Sequence, residues 1–191
     1  MKLFYIPDGH RRYMDREGCS LSEAYRVGYA VLVDEIIRPL FTTPDVARLD
    51  IFLLSSLNLQ RRDSEDLRLL LELGEELLPA LIAECGRIAS VRTLGNYFAN
   101  NIRIDSVPGR QINLILGSRT SDQINCSEVD IFIRSGGELR LSGAPRSIIG
   151  DYTQFYRIDK LHPDLRFHDI RRCLDEYQQR YMRESSILSP A

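Results

Sequence analysis

No closely spaced cysteine pair occurs in this chain. Cys19, Cys85, Cys126 and Cys173 are scattered, which argues against a zinc site or a thioredoxin-like motif and leaves reduced thiols as the default. No apolar run approaches the length of a membrane span, and the first residues carry neither an apolar signal region nor a cleavage site. A cytoplasmic protein that is not integral to a membrane is therefore expected. A charge excess is also lacking. The 25 basic and 27 acidic residues leave a formal charge of −2, which removes any general attraction to nucleic acid. Internal repeats, low-complexity tracts and linkers are absent as well.

What remains is enough for one domain with a real core: 191 residues, 43% hydrophobic and 27% charged. Strand-like apolar runs recur at 2–6, 48–54, 88–94, 112–117 and 129–134. Helical patterns lie between them. Ser20-Leu21-Ser22-Glu23 is a capping box, and it opens a helix with Ala24, Val27, Val31 and Leu32 at helical spacing until Pro39. Asp63 or Ser64 caps a second helix, with Leu67, Leu70, Leu71, Leu77, Leu78 and Leu81 on its apolar side and Pro79 as a candidate kink. A third helix runs from about Phe167 to Met182. Strands alternating with helices imply an α/β fold, a single domain over 1–184 with a mostly parallel central sheet flanked by helices. Residues 185–191 read as a frayed tail.

Arginine greatly outnumbers lysine and gathers in two loops and at Arg61-Arg62. The first loop follows the strand ending near Ile133, where Arg134-Ser135-Gly136-Gly137-Glu138-Leu139-Arg140-Leu141-Ser142 begins. Arg134 and Arg140 offer planar forks suited to phosphate, and Ser142 adds a hydroxyl. Gly136 and Gly137 let the backbone approach a ligand closely. The second loop, Asp8-Gly9-His10-Arg11-Arg12-Tyr13, follows the strand at 2–6, the usual ligand position in an open α/β sheet. There Arg11 and Arg12 suit phosphate oxygens and Asp8 suits Mg²⁺. Each loop taken alone also fits a solvated, surface-paired turn. The leucine-rich helix has two readings too, plain core or one wall of a tunnel for a hydrocarbon tail, and plain core is the expectation.

The two loops, in this order, resemble the cis-prenyltransferase family. The segment from Asp130 to Ser142 is similar to that family's strand followed by R-x-x-G-E-x-R-x-S. Asp8-Gly9-x-x-Arg12 with Tyr13 is a second match, and Ser55-Ser56-Leu57-Asn58-Leu59-Gln60-Arg61 a third. The resemblance implies a reaction in which diphosphate leaves an allylic carbon and a second substrate's double bond attacks. It implies Asp8 as the Mg²⁺ ligand, with Gly9, His10, Arg11 and Arg12 cradling the leaving diphosphate. Asn58 and Arg61 would act on the departing group, and Arg134, Arg140 and Ser142 would hold the acceptor diphosphate. Tyr25 stands where the family has a histidine and joins the substrate-binding set. A homodimer, or a heterodimer with a homologous subunit, is implied as well.

Several positions depart from the family pattern. An Asp-Gly-x-Arg-Arg form resembles the branch that joins two dimethylallyl units head to middle. Gln154 stands in place of a glutamate that ligates metal, and no C-terminal Arg-x-Gly is evident in Gln179–Arg183. The span between 112–117 and Val129 is short where the family inserts helices. A short-chain prenyltransferase of irregular type is therefore the first expectation, acting on an allylic diphosphate and a second isoprenoid diphosphate or another small acceptor. A degenerate subunit of a heteromeric enzyme is the second, and a diphosphate-binding module or hydrolase the third. His162 and His168 read as surface or partly buried structural residues.

Overall fold

Residues 2–6 form β1 (Lys2–Ile6), whose last four residues are all buried, as befits a strand covered on both faces. It lies inside a sheet between parallel β2 (Arg48–Ser55) and parallel β6 (Ile131–Arg134). Beyond β2 come β5 (Gln111–Ser118), β3 (Ser90–Leu94) and the two-residue β4 (Arg103–Ile104). Beyond β6 comes β7 (Gln154–Arg157). Only the β3–β4 pair is antiparallel among these. This computed structural model describes residues 1–55, 60, 62–95, 102–118 and 127–188, with backbone alone for 118 and 182–188.

The five expected strands are all present, and their bounds move by a few residues. β3 starts at Ser90 rather than 88, because the N–H groups of Ile88 and Ala89 still bond back to Cys85 O at 3.0 and 2.9 Å. The helices differ more. Residues 10–13, read as part of a loop, instead begin helix α1 (His10–Glu17). None of its side chains joins either hydrophobic core, so it leaves no apolar periodicity to read.

Helix α2 (Leu21–Val31) opens on the expected capping box of Ser20 and Glu23. It does not stop at Pro39. A π-helical turn over Leu32–Ile37 leads directly into α3 (Arg38–Thr42). Proline lacks an N–H and clashes with the carbonyl four residues back. Widening the preceding turn, with Arg38 N–H bonded to Val33 O, lets the chain pass that obstacle. Helix α4 (Ser64–Gly86) is capped by Asp63, which accepts from Asp66 N–H at 2.8 Å, and it continues through Pro79. Helix α5 (Phe167–Leu188) extends past the expected Met182.

Sheet alternation sorts the core into two clusters. Leu3, Tyr5, Leu49, Ile51, Ile131 and Ile133 face the larger one, which α2 to α5 cover. Phe4, Ile6, Phe52 and Phe132 face a smaller one, closed by Val129, Ala144 and Ile148. Phe4 and Phe132 stack there, 5.4 Å apart and 7° from coplanar.

Candidate active site

Parallel register fixes the site. Ile6 pairs with Arg134 across β1 and β6, so the two arginine loops leave the sheet side by side at its carboxyl edge. Asp8 Oδ2 meets Arg134 Nη2 at 2.5 Å. Arg12 lies one helical turn on from Asp8, with Nη2 at 3.6 Å from Oδ1. Its Nη1 donates to Gly136 O at 2.6 Å. Ser135 Oγ accepts from Asp8 N–H at 2.8 Å, and His162 N–H donates to Asp8 O at 2.9 Å. The loops are thus bonded to each other through main chain and side chain alike.

Glycine is required at two points of this junction. Gly9 caps α1 at φ 116°. Gly136 has φ 82°, and a Cβ there would come within 2.6 Å of Arg12 Nη2 and 3.2 Å of Asp8 O. The first intrahelical bond of α1 runs from Tyr13 N–H to Gly9 O at 2.9 Å. The N–H groups of His10, Arg11 and Arg12 therefore have no intrahelical acceptor, an arrangement that suits an anion.

Arg134 is nearly buried, at 3% exposure. Its Nη1 donates to Arg140 O at 2.6 Å and to Ser142 Oγ, and its Nε has no partner among the described residues. Ser142 adopts φ 50° to bring that hydroxyl in. Arg140 turns its own side chain outward, with Glu138 at 3.6 Å. Arg11 is engaged by Asp66 of α4.

Beneath the loops lies a layer of rings. His10 stacks on Tyr25, with centroids 4.4 Å apart and planes 12° from parallel, and His162 sits 5.2 Å from His10. His162 Nε2 lies 2.9 Å from Gly28 O, a contact only an N–H can make. Nδ1 therefore accepts the Tyr5 hydroxyl, at 2.6 Å. Burial lowers the His162 pKa to about 4, against a small upward pull from Gly28 O. Burial also holds His10 well below the usual histidine range, with His162 and Arg62 adding to the effect. Gly28 makes the packing possible, since a Cβ there would fall 2.3 Å from His10 Nε2.

These groups head a cavity of about 560 Å³, within the ~300–1,000 Å³ usual for small-ligand clefts. Its mouth carries Asp8, Arg11, Arg12, Glu138 and Arg140; its depth is walled by Leu70, Leu73, Leu77, Leu78 and Leu81 of α4, opposite Leu32 of the π turn. The leucine stripe is therefore not plain core. Leu78 and Leu81 belong to the larger core and line the cavity as well.

Of the residues singled out in the sequence, Asp8, Gly9, His10, Arg11, Arg12, Tyr25 and Arg140 line the cavity. Arg134 and Ser142 stand behind Asp8. Asn58 and Arg61 lie outside the described residues. Gln154 pairs with Ile131, three rungs before the Arg134–Arg157 level, and its Oε1 accepts the Tyr156 hydroxyl at 3.1 Å. His162 corrects the expectation of a surface or partly buried residue: it is 1% exposed and lines the cavity. Its burial follows from two elements distant in sequence, β1 and α2, which no local pattern announces. His168 is exposed, as expected. Sequence reasoning also gave no role to Arg62, whose Nη2 donates to Tyr25 Oη at 3.0 Å.

Fold and cavity together define an α/β protein built around one cleft, charged at its mouth and apolar along its depth. Comparison with known proteins narrows that class. The family model "Putative undecaprenyl diphosphate synthase" matches residues 91–185. A tritrans,polycis-undecaprenyl-diphosphate synthase (geranylgeranyl-diphosphate specific) of Aeropyrum pernix is 27% identical over 92% of this chain and 93% of its own length. Its namesake from Pyrobaculum aerophilum is 25% identical over 93% and 92%. The crystal structure of lavandulyl diphosphate synthase from Lavandula x intermedia, in complex with dimethylallyl diphosphate, superposes with a TM-score of 0.74 at 18% identity, covering 92% of this chain and 94% of that one. These matches support the resemblance to the cis-prenyltransferase family.

Proposed function

We propose that this chain is a Mg²⁺-dependent, short-chain prenyltransferase. It transfers a dimethylallyl or similar short allylic group from its diphosphate to a second isoprenoid diphosphate, by head-to-middle coupling. The observation that carries the proposal is the cleft: Asp8 and Glu138 among three arginines at the mouth, and a leucine-walled depth of limited volume. The diphosphate sits on the α1 N–H groups with Arg11 and Arg12, and the hydrocarbon lies along α4. A cavity of about 560 Å³ that must hold both head and tail suits a short isoprenoid better than a long polyprenyl chain.

Breaking the allylic C–O bond sends its electron pair to the diphosphate. Fixed guanidinium charges stabilise that developing charge without reorganising during the step. Arg140, with Arg134 and Ser142 behind it, holds the acceptor diphosphate on the other side of Asp8. The residues present fit Mg²⁺ through Asp8. Among the described residues no group of three or more His, Cys, Asp or Glu forms a metal cage, so Asp8 would share the ion with substrate oxygens, as Mg²⁺ commonly allows. When bound there, the ion neutralises diphosphate charge.

The test is incubation with Mg²⁺ and dimethylallyl diphosphate, alone and with isopentenyl diphosphate, followed by dephosphorylation and mass analysis. A C10 alcohol from dimethylallyl diphosphate alone is expected. Product only with isopentenyl diphosphate would replace irregular coupling by ordinary elongation. One observation favours a second reading, a subunit that works beside a catalytic homologue: Gln154 bears no charge and bonds Tyr156 instead of approaching Asp8. That reading requires inactivity alone and activity once a homologous subunit is added.

A further inference from the structure

We propose that Arg62 is a further direct ligand of the allylic diphosphate and that Tyr25 is its positioning residue; this rests on the prenyl-transfer reading above. Arg62 lines the cavity just before α4. Its Nη2 donates to Tyr25 Oη at 3.0 Å, while its Nη1 is buried and has no hydrogen-bond partner among the described residues. A buried guanidinium nitrogen without an acceptor is costly, and a protein anion is the usual remedy. Of the three carboxylates that follow it, Asp63 caps α4 through Asp66 N–H, Glu65 is exposed, and Asp66 holds Arg11. Among the described residues no acceptor completes Arg62, and the cavity that it lines is open to one.

The anion expected there is the diphosphate bound at the Asp8–Arg12 loop. Three elements fix the geometry. His10 at the start of α1 stacks on Tyr25 of α2, at 4.4 Å, and the Tyr25 hydroxyl holds the Arg62 fork. The loop that takes the diphosphate and the residue with the unpaired nitrogen are thus locked together through one aromatic ring. During transfer the C–O bond breaks and its electron pair passes to the diphosphate oxygen. Arg62 donates a hydrogen bond to that group and keeps its proton.

The probe is inorganic pyrophosphate with Mg²⁺, titrated by calorimetry into wild type, Arg62→Met, Arg62→Lys and Tyr25→Phe, with Arg103→Met as a surface control. Arg62→Met is expected to weaken binding roughly tenfold or more, the size of a charge-assisted hydrogen bond. Arg62→Lys falls between, and Tyr25→Phe loses less. Thermal unfolding of Arg62→Met should be unchanged or shifted upward, since removing an unsatisfied buried charge relieves the fold. Pyrophosphate binding equal to wild type in Arg62→Met would overturn the assignment, as would a fall in unfolding temperature large enough to explain the loss. Failure of wild type to bind pyrophosphate would sink the prenyl-transfer reading along with it. Binding by wild type that survives in Arg62→Met sinks the Arg62 role alone.

Discussion

Asp8 and Arg134 face each other across the ends of β1 and β6 as an ion pair of 2.5 Å. One partner is almost wholly buried and the other is partly open to the cavity. Arg134 therefore holds the carboxylate in position through Oδ2, and Asp8 Oδ1 lies 3.6 Å from Arg12 Nη2.

Asp8→Ala and Asp8→Asn should separate stability from activity. Alanine leaves Arg134 buried without its partner, which should cost about 1–3 kcal/mol in urea unfolding after allowance for the exposed carboxylate. Asparagine keeps an acceptor oxygen and should cost less. Both should lower product formation by roughly a hundredfold or more, because both remove the fixed negative charge at the diphosphate loop. Steady-state assays of the two variants beside their unfolding curves check this.

Gly28→Ala should disturb the ring layer directly and reach the arginine loops only through His10. The new Cβ would lie 2.3 Å from His10 Nε2 and 3.2 Å from His162 Cδ2, so the His10 ring must shift. Overpacking of this kind typically costs about 1–3 kcal/mol. A Gly28→Ala variant with wild-type stability and wild-type kcat would show that the His10–Tyr25 stack has no bearing on the site.

Stability should fall with acid through His162. Its folded-state pKa is about 4 and its ordinary value 6.5, so between these the unfolded chain holds more protons and folding weakens as pH drops. His162 alone should remove roughly 2 kcal/mol between pH 7 and pH 5, and His10 acts in the same direction. Asp50 runs the opposite way, because burial raises it to about 6 and its extra folded-state proton favours the native state at lower pH. The informative quantity is therefore a difference. The slope of unfolding free energy against pH should be shallower in His162→Gln than in wild type.

Leu77→Gln should separate head from tail. Leu77 lines the apolar depth of the cavity, well away from the arginines in sequence. An allylic diphosphate should bind roughly tenfold more weakly to the variant, from about 1–2 kcal/mol of lost apolar contact. Inorganic pyrophosphate should bind as it does to wild type. Equal weakening of both ligands would mean the hydrocarbon does not lie along α4.

Strand runs and caps were legible because they depend on local pattern: β1, the Ser20–Glu23 box and the Asp63 cap are where alternation and capping chemistry predict them. The two arginine loops were legible as candidate anion sites from residue type alone. Their fusion was not, since the Asp8–Arg134 pair spans 126 residues and follows from sheet order. Helix α1 escaped notice because none of its side chains joins the hydrophobic core. The continuation past Pro39 escaped it because a π turn leaves no signature in apolar spacing. His162 and Arg62 carry polar side chains in segments that read as loops, and only the packing of β1, α2 and α4 around them gives those side chains a place in the cavity.

The most direct measurement is a crystal structure with Mg²⁺ and the unreactive thiolo analogue of dimethylallyl diphosphate. The account predicts the diphosphate against the α1 N–H groups, Arg11 and Arg12, with metal density between it and Asp8 and the dimethylallyl group pointing toward Leu73 and Leu77. A diphosphate bound away from Asp8, or a hydrocarbon group directed out of the leucine-walled cavity, would contradict it.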